Sequence, residues 1–196
     1  MDRNVLKKKN EVILKSTRLF YYQGYVNTGI SEILKVCNIP KGSFYYYFKN
    51  KEDLLNQVID LHIKNLISVF DEIVDDLSMV KLRSFFFKYF SNVLDNDCHG
   101  GSLLGNLAIE MSDINNDVRE RINDGYGKLE VRLMIFLQMM YNSNPRYKHI
   151  KPEIYSKILI NQMEGTMLKL KASKDDKEID TFFQLFDYIM YKNELK

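Results

Sequence analysis

Apolar residues recur along almost the whole chain at the three-to-four spacing of helices, not at the alternating spacing of strands. Leu6, Ile13, Thr17 and Phe20 share one face of a helix expected over residues 3–23, with Ser16 small enough for close packing and Gly24 placed to end it. Ile33 and Leu34 mark a short second helix, for which Thr28 is a suitable N-terminal cap. Cys37-Asn38-Ile39 then makes a turn, with Asn38 at the position that needs a left-handed backbone. Pro40 fixes φ at the start of another short helix, Lys41 to about Tyr47. Asn50 caps a long helix to about Asp76, carrying Leu54, Leu55, Val58, Leu61, Leu66, Val69 and Phe70. Residues 79–95 are aromatic on nearly all sides (Phe85, Phe86, Phe87, Tyr89, Phe90) and are expected to be buried.

Beyond the loop His99-Gly100-Gly101, Ser102 caps a short helix from Leu103 to Met111. A long helix over Asn115–Tyr141 is broken by Asn142-Ser143-Asn144-Pro145. Pro152 opens a helix that ends near Ala172, and Glu178–Tyr191 closes the chain with a stripe of Ile179, Phe182, Phe183, Phe186, Ile189 and Met190. The pattern therefore predicts an all-α fold of about nine helices, without internal repeats or flexible linkers.

Charge divides what hydrophobicity leaves uniform. The net charge is only +2, yet residues 1–51 hold ten Lys/Arg against three Asp/Glu, and the remainder eighteen against twenty-three. A polyanionic partner is thus expected at the amino-terminal quarter alone. The two cysteines suggest neither a disulfide framework nor a zinc site, and no apolar run approaches a membrane span or a signal core. A cytoplasmic location is the expectation, with no cofactor and no metal.

Chemistry concentrates in two stretches. The first is TGISEILKVCNIPKGSFYYYFKNKEDLL, where a short helix begins Lys41-Gly42-Ser43 and continues into Tyr45-Tyr46-Tyr47, with Lys51 behind. Small polar residues at a helix start can reach base edges, and hydroxyl or basic groups behind them can hold phosphates. Packing of tyrosines against a neighbouring helix is the plainer alternative. Cys98-His99 is the only adjacent thiol and imidazole, and no third group orients the pair; no phosphate-binding or nucleophile-elbow motif occurs, so an enzyme is not expected.

Residues 12–55 resemble the DNA-binding segment of the tetracycline-repressor (TetR/AcrR) family of bacterial regulators, through Val12-Ile13, Phe20, Gly24-Tyr25, Gly42, Tyr45, Phe48, Lys51-Glu52 and Leu54. Gly29, Leu34 and Asn38 depart from the family's usual Ser/Thr, Ala and Gly. The resemblance implies a helix-turn-helix head over residues 1–50 and a ligand-binding and dimerisation body over residues 51–196. It implies that Lys41, Gly42, Ser43 and Tyr46 face the groove and that Tyr45, Tyr47 and Lys51 meet phosphates, with Thr28 in the same DNA-binding set. The second stretch, GSLLGNLAIE, resembles the GCLLGNLAxE run of one branch of the family, with Ser102 in place of the usual Cys.

An effector pocket is expected in the body around Asn106, Glu110, Tyr126, Leu129, Met163 and Met167, where apolar and adaptable side chains mix with a few polar ones. The plainer alternative is an exposed Glu110 and methionines that fill a core. Gly165, inside a helix, together with the stripe on the last helix, suggests a homodimer built as a four-helix bundle; the alternative is packing within one chain. The expected function is a one-component regulator, a repressor whose dimer binds a near-palindromic operator and is released by a small molecule of unknown identity. The alternative is an architectural DNA-binding protein without an effector pocket.

Overall fold

The computed structural model describes residues 3–192, and among these it contains nine α-helices and no strand. They are α1 (Arg3–Gln23), α2 (Ile30–Cys37), α3 (Lys41–Tyr47), α4 (Lys51–Ile73), α5 (Met79–Leu94), α6 (Leu103–Met111), α7 (Asn116–Ser143), α8 (Pro152–Ser173) and α9 (Glu178–Tyr191), with a 3-10 turn at Pro145–Tyr147. The all-α expectation holds, with ends displaced by a few residues at most. The chain separates into two compact units: one within Met1–Lys64 and Leu103–Asn123, the other within Asn65–Ser102 and Asp124–Lys196.

The first unit is built on side chains that α1 to α4 turn inward. Val12, Phe20, Ile33, Phe44, Leu54, Leu55 and Val58 have no exposed surface, and Cys37 and Phe48 almost none. Short elements such as α2 and α3 are marginal alone, so these contacts supply their stability. Their ends follow the local chemistry of the sequence. Gly24 adopts φ +84° and its N–H donates to the Phe20 carbonyl, which closes α1. Asn38 sits left-handed at φ 51°, ψ 55° and ends α2. The Asn50 side chain accepts the Asp53 N–H at 2.7 Å and starts α4. Thr28 does not cap α2: Gly29 occupies that position, and the Thr28 hydroxyl turns back to donate to the Gly24 carbonyl at 2.6 Å. Farther along α4, Asp60 pairs with Arg121 of α7 at 3.0 Å.

The second unit has an aromatic core. Phe86 and Phe90 of α5 meet Phe182 of α9 at ring-centroid distances of 5.0 and 4.9 Å, and Phe85 meets Phe70 at 4.9 Å. α5 is less enclosed than its composition suggests, because Phe87 is 54% exposed. Phe186 is fully buried here and packs 5.9 Å from Phe86. Its expected place in an intersubunit seam is therefore corrected: the apolar stripe of α9 is spent on the core of its own chain. Among the described residues no helix is long and apolar enough to cross a membrane.

Candidate nucleic-acid interface and buried carboxyl cluster

The geometry of α3 follows from its i, i+4 pairs. Phe44 and Phe48 point inward and are buried, their rings 5.4 Å apart. The opposite side therefore presents Lys41 with Tyr45 and Gly42 with Tyr46, all exposed, while Ser43 and Tyr47 lie half-buried at the margin. Tyr46 is the most prominent, 70% exposed. Around Gly42 nothing lies within 4 Å of where a Cβ would stand, so the backbone itself is open to close approach. Exposed Lys35 and Lys49 flank this face. Six of the eight residues expected at DNA thus come together on one surface or its margin.

Thr28 and Lys51 do not join them. Thr28 is fully buried; besides donating to Gly24, its hydroxyl accepts the Gln23 amide at 3.4 Å. Lys51 points into the first unit, where its ammonium donates to the Tyr25 carbonyl at 2.9 Å and the Thr28 carbonyl at 3.0 Å and lies 4.0 Å from the Tyr25 ring centroid. Burial lowers its pKa from the ordinary lysine value. An ammonium already satisfied by two carbonyls and an aromatic face braces the chain between α1 and α2 and is not poised for a phosphate.

Glu110 grips the same turn from α6. Its carboxylate accepts the Tyr25 N–H at 2.9 Å and the Val26 N–H at 2.7 Å. Gly24 is the third partner of this arrangement: a Cβ there would lie 3.0 Å from Glu110 Oε1, and the positive φ disfavours any side chain besides. Glu110 was expected in an effector pocket, and the finding differs. Both its oxygens are engaged by backbone donors, and it belongs with Asn106 to the first unit, whereas Tyr126, Leu129, Met163 and Met167 belong to the second. Leu129, Met163 and Met167 are core residues there.

Tyr126 opens onto a cluster that the sequence reading missed. Glu164 of α8 has its carboxyl group enclosed in the second unit. Tyr89 of α5 donates to Glu164 Oε1 at 2.7 Å, its oxygen stands 3.2 Å from Ser102 Oγ, and the hydroxyls of Ser102 and Tyr126 also act on the carboxyl. Glu164 Oε2 is buried and makes no hydrogen bond among the described residues. Burial raises the pKa of Glu164 above the ordinary glutamate value, opposed by the three hydroxyls, and burial likewise raises those of Tyr89 and Tyr126. A signal was present in the sequence: Glu164 follows Ile160 by four residues and sits between Met163 and Met167, all three of which turn inward.

The second unit also holds an open cavity of about 420 Å³ where Phe70, Val74 and Leu77 face Ile135, Phe136 and Met139. None of the six residues expected at an effector lines it. Its charged rim is internally paired, Asp71 with Arg132 at 2.9 Å and Asp75 and Asp76 with Lys81.

Comparison with known proteins identifies the family. Residues 13–58 match the family model for bacterial regulatory proteins of the tetR family, and residues 78–186 match that for the tetracyclin repressor-like C-terminal domain. The HTH-type transcriptional repressor DhaR of Mycobacterium sp. (strain GP1) is 25% identical over 177 residues, covering 89% of this chain and 87% of that protein. An uncharacterized HTH-type transcriptional regulator of Lactococcus lactis is 26% identical over 187 residues, covering 93% and 92%. The crystal structure of reduced NemR from E. coli superposes with a TM-score of 0.77 at 23% identity, covering 94% of this chain and 98% of that one, and supports the fold. Since the second model alone spans more than half of its length, the chain belongs to the TetR family of bacterial regulatory proteins and is a DNA-binding transcriptional regulator.

Proposed function

We propose that the chain is a repressor that binds a near-palindromic operator as a homodimer and releases it when a small molecule occupies its second unit. In this reading DNA recognition resides in residues 1–50, and regulation and dimerisation in residues 51–196. The observation that carries it is the outward face of α3, where Lys41, Gly42, Tyr45 and Tyr46 stand free of the core on a basic head. Lys41, Gly42 and Tyr46, with Ser43 at the margin, would read the groove, and Tyr45 and Tyr47 would hold its phosphate walls. Repression is supported by the printed roles of DhaR and NemR as transcriptional repressors.

Dimerisation is supported by a stripe along α8 that its own chain leaves uncovered: Ile154 at 50% exposure, Gly165 with nothing within 4 Å of a Cβ position, and Leu168 at 55%. Tyr188 of α9, at 48%, is similarly open. Two such surfaces related by a two-fold axis would form a four-helix seam.

The test is operator binding by fluorescence anisotropy, with a site selected from random DNA. Lys41→Ala should weaken operator binding by about 1–3 kcal/mol and flatten the preference for operator over random sequence. Equal losses on both DNAs would remove Lys41 from base reading. Sedimentation of Leu168→Asp should show monomers; an unchanged dimer would place the interface elsewhere.

A further inference from the structure

We propose that Glu164, with Tyr89, Tyr126 and Ser102, is the recognition site for a small organic cation, a primary ammonium, in the second unit. The inference rests on the reading of that unit as the effector-responsive part, and it names the ligand's chemistry.

Tyr89 has one hydroxyl proton and directs it at Glu164 Oε1 over 2.7 Å, and the Ser102 oxygen stands 3.2 Å from the Tyr89 oxygen. Hydroxyls from α5, from the residue before α6 and from α7 thus converge on one carboxyl group of α8. Donors arranged in this way favour the ionised form of an acid, yet burial acts against it. No basic side chain is among the groups that act on Glu164. Oε2 is left buried and without a hydrogen bond among the described residues.

A carboxylate held by hydroxyls on one oxygen and bare on the other lacks a charged N–H donor. An ammonium group supplies what is missing: it donates to Oε2, neutralises the buried charge, and can rest against the rings of Tyr89 and Tyr126. A carboxylate or phosphate ligand would be repelled, and a neutral alcohol would leave the charge uncompensated. The paired rim of the 420 Å³ cavity makes no such demand. The site also has a covalent route to the DNA-reading unit. Ser102 immediately precedes α6, and Glu110 in the last turn of that nine-residue helix holds the N–H groups of Tyr25 and Val26.

The experiment uses the full chain and two probes, butylammonium and benzylammonium chloride, each beside its alcohol and carboxylate analogues. Thermal unfolding and calorimetry should show binding of an ammonium probe with little or none for the alcohols and carboxylates. Glu164→Gln should weaken that binding at least tenfold, and Tyr126→Phe should weaken it less; circular dichroism establishes that both variants are folded. Equal binding of alcohol and ammonium, equal binding to wild type and Glu164→Gln, or no binding of either ammonium would each overturn the assignment. Operator titrations in the same samples separate the two levels. Operator binding relieved by a neutral or anionic probe leaves the regulator standing and the cation site overturned, whereas absence of any operator preference overturns the regulator reading itself.

Discussion

Glu110 and Glu164 are both helical glutamates of the half-covered kind, one in each unit, and their surroundings give them opposite characters. Glu110 faces the turn after α1, where the backbone runs free of helix and offers two unpaired N–H groups; each of its oxygens takes one, at 2.9 and 2.7 Å. Glu164 is served by side-chain hydroxyls, with Tyr89 donating to Oε1 at 2.7 Å, and Oε2 goes without a hydrogen bond among the described residues. The contrast teaches that a buried carboxylate is structural where loops supply donors. Where one carboxyl oxygen is left without a donor, the unmet demand makes it a candidate for ligand recognition.

The largest effect expected from this contrast is at Glu110. Glu110→Ala leaves two N–H groups without their charged partner and should lower the unfolding free energy by about 2 kcal/mol, read from urea denaturation. It should also weaken operator binding, because the turn it holds leads directly into α2. A loss at Glu164→Ala as large as that at Glu110→Ala would break the comparison. Next in size is Lys51→Met, which keeps the apolar stem over Tyr25 but removes the donor to two carbonyls. A loss of about 1–2 kcal/mol is expected, with the salt dependence of DNA binding unchanged. A salt slope reduced by about one unit would instead return Lys51 to the phosphates.

Much of this architecture is written in local signals, and those are the parts the sequence discloses. The turn residues Gly24 and Asn38, the Asn50 cap, and the inward pair Phe44 and Phe48 are legible because each depends on neighbours within a few residues. The outward set on α3 follows from the same periodicity. What the sequence leaves hidden depends on partners far along the chain. Lys51 is separated from Tyr25 by twenty-six residues and Glu110 from it by eighty-five, so both read as free charges until the fold brings them together. Phe186 is the reverse case. Its stripe is correctly apolar, but periodicity cannot say whether an apolar face meets its own chain or another, and here it meets Phe86. Glu164 is concealed by its neighbour Gly165, which draws attention to the exposed side of α8 while the carboxyl beside it turns inward.

The smallest and most discriminating expectation is the pH dependence of Glu164→Gln. Burial raises the folded-state pKa of Glu164 above its ordinary value of 4.5. Between that ordinary value and the raised one the native protein binds more protons at this group than the unfolded chain does. Its contribution to unfolding free energy therefore falls as pH rises through that window, and the penalty of the buried charge is complete above it. Glutamine keeps an oxygen for the Tyr89 hydroxyl and carries no charge, exchanging a bare carboxylate oxygen for a bare amide nitrogen. At pH 4, where Glu164 is protonated, the variant and wild type should agree within about 1 kcal/mol. As pH is raised to 8 the variant should gain stability relative to wild type, whereas Glu110→Gln should remain the less stable protein at neutral pH because an amide cannot accept two N–H groups on two oxygens. Denaturation curves of the three proteins at both pH values settle the matter. A Glu164→Gln difference that stays constant across them would mean that the carboxyl does not titrate in a buried environment, and the distinction between the two glutamates would lose its electrostatic basis.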